Sequence, residues 1–206
     1  MHFQKYFAEL VGTFFLTTLV SFSILNTLPF PTPLVAGLTV GLFVYTVGAV
    51  SGAHFNPAVT IGLWTVRKIN LKDAVAYILA QLVGAYLALQ FVQTFTGKTV
   101  ALTVGNTWSI GLAEALGAFL LVFGISAVIH QKVHAAASGI VIGGSLMLGI
   151  LLAAGFSNAI LNPAVALGLH SVSWAYMLGP IAGGILAAWV FKFLGSPVVV
   201  SKSPPD

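Results

Sequence analysis

Apolar residues run along this chain in six stretches of near-spanning length, about 7–26, 34–50, 74–95, 109–130, 137–156 and 173–194. A helix that crosses the hydrocarbon core of a bilayer needs about 20 apolar residues, so the pattern predicts six membrane-crossing helices. The 34–50 stretch reaches that length only if it extends toward Ser51. Two further apolar pieces, about 57–66 and 163–170, are too short to cross. Each opens on Asn-Pro after a loop, which predicts half-helices that enter the membrane and turn back. The polar breaks support these boundaries. "NTLPFPTP" at 26–33 is a turn-rich link with three prolines, "VRKINLKD" at 66–73 is charged, and "QKVHAAA" at 131–137 is a short connection. "TGKTVALTVGNTW" at 96–108 has no clean period and joins two halves. From Ser196 the tail, with Pro197, Pro204 and Pro205, is expected to fray.

The two halves repeat. "SGAHFNPAVTIGLW" at 51–64 and "SNAILNPAVALGLH" at 157–170 share 8 of 14 residues at a separation of 106. "AELVGTFFL" at 8–16 and "AEALGAFLL" at 113–121 share five of nine at a separation of 105. Each half then holds two spans, a half-helix and a third span. Three crossings is an odd number, so the second half runs through the membrane upside down, an inverted internal repeat. Repeat one covers about 6–95, a linker 96–108, repeat two about 109–195 and a tail 196–206, all within one transmembrane domain over 1–206.

Composition agrees with a membrane setting and removes other classes. The chain is 58% hydrophobic and 6% charged, with a mean hydropathy of +1.03, where a soluble domain carries about 25% charged residues. There is no cysteine, which excludes disulfides, thiol catalysis and thiolate metal sites. No Lys/Arg cluster offers a nucleic-acid surface, and no His/Asp/Glu spacing suggests a metal site. With both termini inside, seven of the eight basic residues fall on the inner face and only Lys98 falls outside, as the positive-inside bias requires.

Asparagine is a strong N-cap and proline suits the first helical position, where no N–H is needed. Asn56-Pro57-Ala58 and Asn162-Pro163-Ala164 are therefore helix starts. Two such starts from inverted halves meet head to head near the bilayer midplane. Irregular backbone at that depth must be buried in protein or line a watery cavity. The segments 51–55 and 157–161 are accordingly expected to be extended, with carbonyls facing a pore. The Asn56 and Asn162 amides would donate hydrogen bonds to whatever passes. Glu9 and Glu114 lie inside spans at equivalent positions. An intramembrane carboxylate is a functional candidate by default; here each is expected to accept backbone N–H groups from a re-entrant loop. A proton-relay role is the rival reading. Gln81 is read as an interhelical hydrogen bonder, and His130 and His134 as solvated. Glycine pairs four apart, Gly37/Gly41, Gly48/Gly52, Gly139/Gly143 and Gly179/Gly183, suit close helix packing.

"SGAHFNPAVTIGLW", the second Asn-Pro-Ala, Glu9 and Glu114 in "AE..G", and "AQLVGA" at 80–85 resemble the aquaporin, or major intrinsic protein, family over roughly 6–195. The resemblance implies an all-α integral membrane protein, a six-helix bundle with two re-entrant half-helices around a narrow pore. It also implies passive conduction of water or small neutral solutes and a homotetramer in the lipid bilayer. Gly52, Ala53, His54, Asn158 and Ile160 would then line the pore, and His170 would stand near the outer vestibule. The family usually has Arg directly after the second Asn-Pro-Ala, where this chain has Val165. The other constriction positions, carried over by spacing, are Ala36, Ile150 and Ala159. That set holds no charge, no aromatic ring and no side-chain donor.

These observations predict a multi-pass channel of the cell's inner or plasma membrane, without cofactor and without catalysis. It passes water and other small neutral solutes. A second reading is a channel mainly for glycerol, ammonia, hydrogen peroxide or a gas. A third is an ion- or proton-coupled secondary transporter, a class that also uses inverted repeats and broken helices. An enzyme would need a nucleophile–base or metal constellation, and the chain has none in its sequence pattern.

Overall fold

The structure is a computed structural model that describes residues 3–25 and 28–195. The tail 196–206, with its expected fraying and Lys202, lies outside the described residues, as do 26 and 27 of the proline-rich link. Among the described residues the secondary structure is entirely helical. In chain order the helices are α1 (Phe3–Ile24), α2 (Thr32–Ser51), α3 (Pro57–Thr65), α4 (Leu71–Thr96), α5 (Trp108–Ile129), α6 (Ser138–Ala153), α7 (Pro163–Gly168) and α8 (Trp174–Leu194). One 3-10 turn, Ala135–Ala137, leads into α6. Among the described residues six spans are long and apolar enough to cross a membrane, α6 together with the 3-10 turn before it (Ala135–Ala153), and α3 and α7 are the two short helices. The second span does reach Ser51, where Gly52 ends it at φ 88°.

The ends follow local chemistry. Pro31 caps α2, with a further proline in its first turn. Asn70 caps α4 by accepting from Asp73 N, and Thr107 caps α5 by accepting from Ile110 N. Gly97, at φ 65°, stops α4.

Polar and apolar residues are distributed as a lipid solvent demands. Leu38, Leu42, Leu112, Leu116, Leu148 and Leu186 stand on the outside, each at least 48% exposed. Glu9, Gln81 and Glu114 are 0% exposed inside the bundle. Helices approach closely where glycines face each other's backbone. A Cβ on Gly37 would lie 2.7 Å from Gly143 O, and one on Gly41 would lie 2.9 Å from Gly139 O, so α2 and α6 touch along a glycine seam. Gly179 meets Gly111 O and Gly183 meets Ala115 O, closing α8 on α5. The Gly48/Gly52 spacing does not belong to this set. Around Gly48 a Cβ would touch only Val44 of its own helix, and Gly52 lies in the loop.

Two expectations about the loops are corrected. The segments entering the half-helices are not extended. Gly52, Ala53 and Phe55 have φ of 88°, 53° and 49°, while Asn56 has φ −155°. Ala159 and Leu161 repeat the pattern at 51° and 57°, before Asn162 at −149°. Left-handed conformations at non-glycine residues are costly, and something specific must hold them. His130 also differs from its expected solvation. Its Nδ1 lies 2.8 Å from Ser126 O and its ring packs 5.2 Å from that of Phe191. His134 is exposed, as expected, and its Nδ1 accepts from Ala136 N.

Candidate functional site

What holds the left-handed residues is a buried carboxylate in each half. Glu9 Oε1 accepts from Ser51 Oγ (2.7 Å) and His54 N (2.9 Å), and Oε2 accepts from Phe55 N (2.7 Å) and Gln81 Nε2 (2.8 Å). Glu114 Oε1 accepts from Ser157 Oγ (2.8 Å) and Ile160 N (3.0 Å), and Oε2 from Leu161 N (2.6 Å). Successive N–H groups converge on one anion because the backbone alternates in hand, which makes a concave nest. A tyrosine braces each loop from the third span. Tyr77 Oη donates to Ser51 O (2.7 Å), and Asn158 N donates to Tyr176 Oη (3.1 Å).

This geometry fixes where the carbonyls go. In a trans peptide the C=O points opposite to the N–H of the next residue. With His54 N–H and Phe55 N–H turned to Glu9, the carbonyls of Ala53 and His54 turn away from it. The carbonyls of Ala159 and Ile160 likewise turn away from Glu114. All four residues line one central cavity.

At the cavity's middle the halves are stitched together. Asn56 Nδ2 donates to Leu161 O and Asn162 Nδ2 donates to Phe55 O, each at 2.9 Å. The side-chain oxygens cap the half-helices, Asn56 Oδ1 accepting from Ala58 N and Asn162 Oδ1 from Ala164 N and Val165 N. A carboxamide has two N–H groups. One on each asparagine crosses to the opposite half, so one remains for the cavity, fewer donors than the sequence alone suggests.

Ala36, Ile150, Ala159 and Val165 all border the same cavity as Asn56 and Asn162, together with Asn158 and Ile160. The opposite wall is aliphatic, with Leu16 and Val20 of α1 and Leu121 and Ile125 of α5. The space is narrow. About 50 Å³ is open to the centre of a water-sized sphere, room for a few waters and no wide lumen. Gly52 borders a second cavity, shared with His54, Lys68, Asp73 and Tyr77, at the end of the bundle where Lys5 Nζ pairs with Asp73 Oδ2 (2.7 Å). His170 is exposed, at φ 54°, beyond the end of α7.

The profile of the family described as Major intrinsic protein matches residues 1–191 of this chain. The chain belongs to the major intrinsic protein family. Nodulin-26 of Glycine max is 34% identical over 210 residues, covering 93% of this chain and 78% of that protein. Aquaporin AqpM of Methanothermobacter thermautotrophicus is 35% identical over 185 residues, covering 78% and 74%. The X-ray structure of the aquaglyceroporin from Plasmodium falciparum superposes with a TM-score of 0.74 at 23% identity, covering 97% of this chain and 98% of that one, a likeness of fold.

Within this major intrinsic protein, sequence reasoning missed several residues. Tyr77 and Tyr176 brace the loops, and Thr60 bonds the imidazole of His54 (Nδ1 to Oγ1, 3.1 Å). The aliphatic wall was signalled all the same. Leu16 and Leu121 each stand seven residues after the repeated glutamate, and Val20 and Ile125 follow one turn later. The linker between the halves also reaches the site, through Asn158 Nδ2 donating to Thr103 O (3.1 Å).

Proposed function

We propose that this protein is a passive transmembrane channel for water and other small neutral solutes, conducting through the cavity between Asn56 and Asn162. The observation that carries this reading is the pair of crossed asparagines, each with one N–H left over for a narrow cavity that has carbonyls on both sides of them. The half-helix N-termini add positive potential at the same level. A water at the centre turns its oxygen to the asparagines and its hydrogens outward to the carbonyls. Water so held cannot pass a proton through the centre in one direction, and a cation meets positive potential without replacement ligands. The names of the relatives, aquaporin and aquaglyceroporin, agree with water and glycerol as permeants.

Ala36, Ile150, Ala159 and Val165 form the proposed constriction toward the end remote from Asp73. They offer no side-chain donor, so discrimination there rests on size and on the carbonyls of the second loop. Gly52, Ala53, His54, Asn158 and Ile160 line the path on either side. The coupled-transporter reading is disfavoured by the glutamates themselves, whose oxygens are taken up by loop N–H and hydroxyl donors. We place both termini and the Lys5–Asp73 end on the inner face of the cell's inner or plasma membrane, with a homotetramer as the assembly, one pore to each subunit.

Stopped-flow light scattering on reconstituted vesicles tests the reading, comparing osmotic shrinkage with glycerol re-entry. Both rates should exceed those of empty vesicles, and should not respond to an imposed pH gradient. Uphill solute movement driven by such a gradient, abolished in Glu114→Gln, would replace the channel with the transporter.

A further inference from the structure

The two halves are not chemically alike where the loops meet the third spans. In the first half a polar chain runs from the buried carboxylate to the pore, Glu9 Oε2 to Gln81 Nε2 (2.8 Å), Gln81 Nε2 to Thr60 Oγ1 (3.0 Å), and Thr60 Oγ1 to His54 Nδ1 (3.1 Å). Its hydrogens can be assigned one by one. As a carboxylate Glu9 accepts only, so the Gln81 group beside it is the NH₂. The opposite flip would set two oxygens 2.8 Å apart. That NH₂ therefore also donates to Thr60 Oγ1. The Thr60 hydroxyl has one hydrogen and two lone pairs, and its third neighbour is Asn56 O at 3.1 Å, which accepts only. All three contacts are satisfied in a single arrangement. Thr60 donates to Asn56 O and accepts from both Gln81 and His54. In that arrangement His54 carries its proton on Nδ1, and its Nε2 is a bare acceptor.

The position of that acceptor is equally defined. A Cβ on Gly52 would lie 3.2 Å from His54 Nε2. Gly52, exposed and at φ 88°, leaves that edge uncovered, and His54 borders both the central cavity and the cavity at the Lys5–Asp73 end.

We infer that Gln81 and Thr60 are positioning residues that set the tautomer of His54, so that the pore at the Asp73 end terminates in a hydrogen-bond acceptor. The role rests on the channel reading above. Donors sit at the centre of the pore, so a water file there points its hydrogens outward and needs acceptors at its ends. Nε2 supplies one, where an Nε2–H would oppose the file. The amide oxygen of Gln81 is buried without a hydrogen-bond partner, a cost that this orientation of the amide carries and that the opposite one would exchange for a clash with Glu9.

The test is nitrogen-15 NMR of the full chain in lipid, with His54 assigned by its absence in His54→Gln. The native protein should show a protonated Nδ1 and a bare Nε2. Thr60→Val removes the acceptor for Nδ1–H and should move the proton to Nε2, while Thr60→Ser should keep the native tautomer. Water permeability, per folded protein, should fall about fivefold in Thr60→Val, the worth of one hydrogen bond, and recover in Thr60→Ser. A native Nε2–H signal, or the same tautomer in Thr60→Val as in the native chain, overturns the inference. Absence of any water permeability in the native protein would instead overturn the channel reading, and the spectra would still decide the tautomer.

Discussion

At the Asp73 end of the pore the loop carries His54, and behind it stand Thr60 and Gln81; the equivalent places in the second half hold Ile160, Ala166 and Pro180. The correspondence of Gln81 with Pro180 follows from contacts. Gly84, three residues after Gln81, packs on Leu10 O, and Gly183, three after Pro180, packs on Ala115 O, while Leu10 and Ala115 are themselves repeat partners. What is duplicated is the loop-holding set: Glu9 and Glu114, Ser51 and Ser157, Tyr77 and Tyr176, Asn56 and Asn162. What differs is the chemistry turned to the pore. Shaping a buried loop needs the same donors and acceptors in either direction through the membrane. The two mouths of the pore have no such need of sameness.

The largest effect that probes this comparison is loss of a carboxylate. Glu9→Ala strands the N–H groups of His54 and Phe55 and the hydroxyl of Ser51, and Glu114→Ala strands the N–H groups of Ile160 and Leu161 and leaves the Ser157 hydroxyl only the Ala153 carbonyl. Each buried group left unpaired costs about 1–3 kcal/mol, so both variants should lose most of their folded protein by size-exclusion thermal melts. Glu9→Ala should be the worse, because the Gln81 amide also loses one of its two acceptors and keeps only Thr60 Oγ1. Equal or reversed damage would show that the polar chain adds nothing to the first loop.

Next in size, Asn162→Leu and Asn56→Leu should each abolish most water permeability while leaving a folded channel, since cap loss alone costs about 0.5–2 kcal/mol. Normal permeability in a folded Asn162→Leu would remove that residue from conduction. A smaller, selective change is expected from Val165→Arg with Ala36→Phe, which should cut glycerol entry more than water flow. An unchanged glycerol-to-water ratio would place the narrowest point elsewhere. The smallest effect belongs to Thr17. Its hydroxyl is buried without a partner, and its repeat equivalent is Val122. Thr17→Val should shift stability by no more than about 0.5 kcal/mol, or raise it. A large loss would mean that this hydroxyl has a partner in the membrane.

Much of this architecture was legible in the sequence because lipid imposes strict rules. Apolar length located the six spans, and Asn-Pro located the start of both half-helices to the residue, with their ends one and two residues earlier than expected. The alternation of backbone hand at Ala53 and Phe55 was not legible, since neither is a residue type that favours positive φ. It is dictated by Glu9, more than forty positions away in the chain. The tyrosine braces were hidden by register. Tyr77 and Tyr176 are 99 apart, as are Gln81 and Pro180, where the repeated glutamates and the Asn-Pro-Ala segments run at 105 or 106. Before its tyrosine α4 has about one more turn than α8, and that turn carries Asp73, the partner of Lys5. Thr60 lies inside the repeated motif, and nothing in its position along the chain sets it apart from the apolar residues around it.

The crossed asparagine bonds also bear on how the chain is made. Phe55 O waits for Asn162, and the Asn56 amide waits for Leu161 O. Until residues beyond 160 have entered the membrane, the first half carries unfinished hydrogen bonds at its deepest point. Helices α1 and α4 can pair as they emerge, as can α5 and α8 later, but the pore itself closes only when both halves are present. A chain cut within 98–106 and expressed as two pieces should therefore yield a channel only when both are made together, each piece alone being a helix bundle with an open wound where the other belongs.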